Sequence, residues 1–386
     1  MISLAIATLF VSSFALSVGA LQPSSDNRAV VGALPPLDAN HYPPDALLYT
    51  RDTGLQTRDI GLDTRDTGLN THDTDSDIHD TVLDARDSQS VTALSSTELA
   101  AIVPYVQFAR AAYCPKGAST WTCGPACTAN KEFIVTRAGG DGAGIQYYYV
   151  GYWAAQHTVV VGHEGTDPTR LLADLTDLRL LKGFLSSSLF PGIGLKPLVH
   201  IGFRDEHRKT AKVILEEVAA LMDVTKTRKV AVVGHSLGGA LAELDAVYLA
   251  LNLPKALEEA SISSKAASST NVTVKAVTFG KPRVGNKAWA ELVDKHVIGP
   301  ELMYALADIV PVIPPMSLGF LHPRGEVHLL GPGNAVACPG NDDTKDAQCQ
   351  DKTVPTLLQG SIMDHVRVVC GLWFFDTRIN CSRYVC

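Results

Sequence analysis

The stretch V-A-V-V-G-H-S-L-G-G-A-L-A, residues 230–242, sets four small apolar residues before Gly-His-Ser-Leu-Gly-Gly and an Ala/Leu-rich run. The tetrad reads as a buried strand and the run from Leu237 as a helix, so the turn between them is very short. Two roles are open to Ser236. It can cap the helix, a common task for serine. It can instead stand at the apex of a sharp strand-to-helix turn, its hydroxyl lifted above the sheet edge. Gly234 and Gly238 favour the second role, because side chains there would collide with the neighbouring strand or helix. G-x-S-x-G alone is a weak pattern; between a strand and a helix it reads as a nucleophile elbow. The helix N-terminus behind it offers unpaired N–H groups to a developing negative charge.

Outward from this turn the chain alternates strands with helices. Leu99, Ile102, Val103, Val106, Ala109 and Tyr113 fall on one helical face behind a capping-box pattern, Ser95-x-x-Glu98. Pro104 inside that run is expected to kink or split the helix. Residues 146–153 and 157–163 read as strands, and Ala211, Ile214, Leu215, Val218 and Leu221 as an amphipathic helix. A strand over 272–279, a helix over 287–296 and a short strand near 303–306 follow. Alternation of this kind specifies an α/β fold around a mostly parallel sheet.

Charge and cysteine use define the setting. Residues 51–87 carry ten Asp against four Arg, which is most of the net charge of −7, so the acidity belongs to one segment. No basic footprint for nucleic acid is present. From Arg51 a seven-residue unit repeats as RDTGLQT, RDIGLDT, RDTGLNT and decaying copies. One Leu per repeat leaves no second seam for a coiled coil, and the period is wrong for the nine-residue calcium-binding repeats. The composition fits a disordered pro-segment or linker over residues 21–90. Residues 1–20 are uncharged, apolar and end Val18-Gly19-Ala20, the form of a secretory signal; the serines and glycine weaken the alternative of a membrane anchor. The folded part is then 91–386. Eight cysteines in an exported chain point to disulfides. Cys123/Cys127 and Cys338/Cys349 are spaced for local loops, and a zinc reading of C-x3-C lacks a second ligand pair. Asn271 and Asn380 begin glycosylation sequons.

A nucleophilic serine needs a base, and the base an orienting acid. With an elbow of this type the partners follow in the order Ser, Asp, His. Asp308 lies directly beyond the strand M-Y-A-L-A and is followed by Ile309-Val310-Pro311; its rival Asp294 falls within a helix. His322, His328 and His365 are all downstream, and their positions alone do not choose the base.

These residues together resemble a known family. V-V-G-H-S-L-G-G-A, F-G-K-P-R-V-G, D-I-V-P-V-I-P-P, G-F-L-H-P and M-D-H look like the fungal class 3 lipases, across roughly residues 95–386. The resemblance implies an α/β-hydrolase fold with Ser236 as nucleophile, Asp308 as acid and His365 as base, G-F-L-H being structural. It implies an oxyanion hole from the Leu237 N–H and from Thr166, through its N–H and hydroxyl. Glu164 stands where the family usually has arginine, and V-R-V-V-C replaces the usual aromatic after His365. A lid is expected beyond Thr166, with Leu171, Leu172, Leu175, Leu178, Leu181, Phe184, Leu185, Leu189 and Phe190 as its apolar surface. The family's terminal disulfide implies Cys114–Cys381, leaving Cys370 and Cys386 extra. The expected activity is secreted carboxylic-ester hydrolysis, most simply of triacylglycerols at a lipid–water interface. Neither metal, organic cofactor nor obligate protein partner is implied. The rivals are a feruloyl or other small-ester esterase of the same fold and a catalytically inert binding or wall protein.

Overall fold

The computed structural model describes residues 90–167, 180–264, 271–298, 301–342 and 345–369. The signal-like stretch 1–20 and all of the 21–90 segment except Ser90 lie outside these. Helix α1 (Ser96–Ala111) carries the capping box, with Glu98 N–H donating to Ser95 Oγ and Ser95 N–H to Glu98 Oε2. Pro104 does not break it. Pro104 has no N–H to offer the Ala100 carbonyl, and Ala100 is an exposed residue, while Asn130 Nδ2 donates to the Pro104 carbonyl at 2.9 Å. Short helices α2 (Pro115–Ala118) and α3 (Pro125–Ala129) follow.

Strands β1 (Thr92–Ala93), β2 (Phe133–Gly139), β3 (Tyr148–Trp153), β4 (Thr158–His163), β5 (Lys182–Phe184) and β6 (Leu198–His200) precede helices α4 (Ile201–His207) and α5 (Ala211–Thr225). Then come β7 (Lys229–His235), α6 (Leu237–Ser264), β8 (Thr273–Phe279), α7 (Lys287–His296), β9 (Glu301–Ala305), β10 (Glu326–Gly331) and β11 (Asn334–Ala337). Helices α8 (Gln350–Thr353) and α9 (Ile362–Val369) end the described chain. Among the described residues the main sheet runs β1-β11-β10-β9-β8-β7-β4-β3-β2. Its centre, β4-β7-β8-β9-β10, is parallel, and both edges are antiparallel. This is the α/β-hydrolase architecture.

The central strands read as unbroken apolar runs because both faces are covered. Val159, Val161, Val230 and Val232 point into one core with Ile214, Val218, Leu244 and Trp289 from α5, α6 and α7. Val160, Ala231 and Val233 point the opposite way, into a core with Phe108 and Ala109 of α1. Successive residues of one strand thus anchor opposite helical layers, as the two-residue period requires. The carboxyl ends of β4, β7, β8 and β9 lie on one edge, the place where parallel sheets assemble sites.

Disulfides Cys123–Cys127 and Cys338–Cys349 close the two short loops, so the C-x3-C pair is not a zinc site. Glu326 lies against Cys338 and Cys349, but those sulfurs are bonded to each other. Cys114 is also oxidised; its expected partner Cys381 lies outside the described residues, as does Asn380. Asn271 is exposed just before β8.

The F-G-K-P-R-V-G segment is held from inside. Arg283, 2% exposed, donates to Asp342 at 2.8 Å, to Asp351 at 2.5 Å and to the carbonyls of Val312 and Pro314. Arg283→Met would leave the buried Asp342 and the half-buried Asp351 without their cation, an error worth about 3–5 kcal/mol. Urea unfolding is expected to show a midpoint lowered accordingly at unchanged m-value; a loss under about 1 kcal/mol would show the network to be dispensable.

Candidate active site

The turn after β7 answers the question posed by Ser236. Its φ is +56°, in the left-handed region, whereas a capping serine adopts the β region. That conformation costs about 1–3 kcal/mol for a residue with a side chain. It is enforced by packing: a Cβ on Gly234 would lie 2.2 Å from the Gly238 carbonyl oxygen, and one on Gly238 would lie 2.4 Å from that of His163. Ser236 N–H donates to the Phe279 carbonyl at 2.9 Å, tying the apex to β8. Helix α6 begins at the next residue, so the Leu237 N–H is among those with no acceptor inside the helix.

Asp308 and His365 meet beyond β9. His365 Nδ1 lies 2.9 and 3.0 Å from the two Asp308 oxygens, and both side chains are fully buried. Asp308 Oδ1 also accepts from Val310 N–H at 2.8 Å, and Gln350 Nε2 donates to its main-chain carbonyl. A bridge between Asp308 and Ser361 sets the start of α9 beside β9, and His365 lies one turn into that helix. Gly280 makes room for the pair. With φ +53°, its missing Cβ would fall 2.7 Å from Asp308 Oδ2 and 2.8 Å from His365 Nδ1.

With Nδ1–H directed at Asp308, the lone pair of His365 is on Nε2, which is buried and has no hydrogen-bond partner. The Ser236–His365 hydrogen bond is therefore open in this conformer. The two residues are nonetheless neighbours through 279–280, since Phe279 holds the Ser236 amide and Gly280 abuts the imidazole. Burial lowers the His365 pKa to about 3 and pushes that of Asp308 well up. Both effects disfavour charge, and they leave a neutral imidazole at neutral pH.

His235, just before the serine, had no role in the sequence reading. Its ring packs on that of His365 at 4.3 Å between centroids. Its Nε2–H donates to the His365 carbonyl at 3.0 Å, so its Nδ1 accepts from the Tyr113 hydroxyl at 2.7 Å. The G-H-S triplet was the available signal for His235; Tyr113 gave none. The rival acid and bases are engaged elsewhere. Asp294 accepts from Arg324 N–H and Asn341 Nδ2. His322 is held between Lys281 Nζ and the Pro311 carbonyl, and His328 between the carbonyls of Gln348 and Leu306.

Thr166 lies on the loop after β4. Gln146 Nε2 donates to the Gly165 carbonyl at 2.6 Å and Glu164 N–H to that of Tyr147 at 2.9 Å. Burial, with Asp167 nearby, raises the Glu164 pKa to about 7, and its Oε2 is buried without a partner. Among the described residues Glu164 makes no ion pair at this departure from the family pattern. Of the expected lid residues, Leu171, Leu172, Leu175 and Leu178 lie outside the described segments. Leu181 and Phe184 are 61% and 58% exposed. Phe190 is not lid surface: it is buried against His207, Tyr248 and Trp289.

The family model described as lipase (class 3) matches residues 168–318, which include Ser236 and Asp308. A lipase of Rhizopus niveus is 30% identical over 294 residues, covering 73% of this chain and 66% of its own. The lipase of Rhizomucor miehei is 30% identical over 284 residues, covering 72% of this chain and 70% of its own. The chain belongs to the fungal class 3 lipase family. A secreted mono- and diacylglycerol lipase of Malassezia restricta is 27% identical over 224 residues, 56% of this chain and 64% of that one. The chain thus spans slightly under two thirds of the Rhizopus niveus and Malassezia relatives. Among solved structures, a triacylglycerol lipase whose catalytic centre is a serine-protease triad matches with a TM-score of 0.58 at 25% identity, covering 72% of this chain and 96% of that one.

Two outcomes follow from this geometry. Gly280→Ala is expected to displace the Asp308–His365 pair and lower ester turnover by about 100-fold or more, since ångström errors at a site carry that penalty. Turnover per folded molecule within threefold of the parent would contradict it. Because only neutral imidazole accepts a proton, and burial depresses the His365 pKa, the acid limb of kcat/KM is expected below the ordinary histidine value of about 6.5. A limb at or above pH 7 would reverse that sign.

Proposed function

We propose that this protein is a secreted serine hydrolase that cleaves carboxylic esters through an acyl-enzyme, with acylglycerols as substrates. Ser236 Oγ attacks the acyl carbonyl while His365 Nε2 takes its proton, and Asp308 holds the imidazole through Nδ1–H. The oxyanion of the tetrahedral intermediate is received by the Leu237 N–H and by Thr166. His365 returns the proton to the departing alcohol. It then deprotonates a water that attacks the acyl-enzyme, releasing the fatty acid and restoring Ser236.

The observation that carries this reading is the buried, unpartnered Nε2 of an imidazole whose other nitrogen faces a buried carboxylate, next to a serine at a left-handed elbow. An acceptor left unsatisfied in the interior costs about 1–3 kcal/mol, a cost that a hydroxyl proton reaching Nε2 would remove. The open Ser236–His365 hydrogen bond is consistent with sites whose bonds tighten only with substrate bound. Lipid substrates are supported by the apolar segment containing Leu171, Leu172, Leu175 and Leu178 and by the exposed Leu181 and Phe184. Secretion is supported by residues 1–20, the disulfides and the secreted Malassezia relative. Residues 21–90 are read as a pro-segment or linker, on composition.

A fluorescent alkylphosphonate is expected to label the enzyme, and Ser236→Ala to abolish both labelling and hydrolysis, with a loss of about 10⁴-fold or more in kcat. Emulsified triolein is expected to be cleaved faster than soluble acetate esters, with a rate jump when the substrate forms an interface. Labelling with no preference for an interface would favour the small-ester esterase; absence of labelling would favour an inert family member.

A further inference from the structure

A second group of buried titratable side chains lies behind the site. Asp245, fully buried on α6, accepts from His163 Nε2–H at 2.7 Å on one carboxylate oxygen. Its other oxygen accepts from His207 Nε2–H at 2.8 Å. His163 and His207 are each 2% exposed, and the rings of Phe190 and Tyr248 close over His207. The hydrolytic steps above use none of the three. Two histidines sharing one interior carboxylate is a costly arrangement for fold stability alone, since an apolar trio of similar volume would serve as well or better.

The positions of the three suggest what they do. His163 is the last residue of β4, and Glu164-Gly165-Thr166 follow it directly. Asp245 lies on the same helix as Leu237, eight residues on. The carboxylate therefore joins the strand that delivers one oxyanion donor to the helix that carries the other. Gly238, next to Leu237, already abuts the His163 and Glu164 carbonyls, so the two backbones meet at the closest distance their atoms allow. His207 on α4 fixes the free oxygen of Asp245, preventing rotation of the carboxylate away from His163.

Resting on the proposed hydrolase reading, we infer that Asp245 is a positioning residue that sets, through His163, the separation of the Thr166 and Leu237 oxyanion donors. His207 orients the carboxylate. No contact of Asp245 with substrate is required, so its effect belongs to kcat rather than KM. Thr166 stands on an irregular loop, and a donor there needs such a brace to meet the tolerance that oxyanion stabilisation demands.

The test is a double-mutant cycle on purified enzyme, with active sites counted by phosphonate labelling of Ser236. Asp245→Asn is expected to lower kcat per labelled site by about 10- to 100-fold with KM changed less than threefold. In the Thr166→Ala background the same substitution is expected to cost at least threefold less, because both changes damage the same stabilisation. His163→Gln, which keeps an N–H donor, is expected to retain most of kcat, and His163→Leu to lose it; this pair serves where Asp245→Asn does not fold. An equal loss in both Thr166 backgrounds, equal activity of the two His163 variants, or unchanged kcat per labelled site would overturn the positioning role. Failure of Ser236 to label at all would instead remove the hydrolase reading, and with it this inference.

Discussion

The structure depends on one steric constraint, the close approach of β7, α6 and the end of β4 around Ser236. No Cβ fits at Gly234 or Gly238, and between them a serine is held at φ +56°. The strain is carried by the two cores that grip β7 from either face, with Val230 and Val232 on one side and Ala231 and Val233 on the other. Because the strand cannot shift toward either layer, the turn at its end cannot relax. The helix it launches then points its free N–H groups across the end of the sheet.

Around that turn the interior is unusually ionic. Lys281 is fully buried 2.8 Å from Glu243, which also accepts from Trp289 Nε1–H. Arg283 binds two aspartates, Asp308 meets His365 and Asp245 holds two histidines. Most of these groups lie just beyond strand ends or on α6, where loops with few apolar residues must be fixed in place. Directional bonds suit that task, since apolar contacts specify volume far better than angle. In the Asp308–His365 pair the atom without a hydrogen-bond partner is an imidazole nitrogen, a proton acceptor rather than a carboxylate oxygen.

Much of this was legible in the sequence. Strand and helix alternation and the elbow glycines follow from period and sterics, and chain order sets Asp308 and three candidate histidines after Ser236. Choosing His365 over His322 and His328 required the family resemblance, because hydrogen bonding across residues distant in sequence decides it. Pro104 misled for a local reason: Ala100, whose carbonyl it deprives of a partner, is an exposed residue, and exposure is not visible in a motif. Phe190 was read as lid surface, but its burial comes from Trp289 and Tyr248, far along the chain. The His163–Asp245–His207 group had no signal, as its members are scattered through three elements.

The chain Tyr113–His235–His365 has a consequence for how the site behaves once chemistry is stopped. Its bonds run from the residue beside the nucleophile to the main chain beneath the imidazole, bypassing the Ser236 hydroxyl. Removing that oxygen deletes the reactant and leaves its scaffold standing. On the proposed reading, a Ser236→Ala protein would keep the geometry around the imidazole and hold an ester without cleaving it, so that the bound molecule itself could be seen.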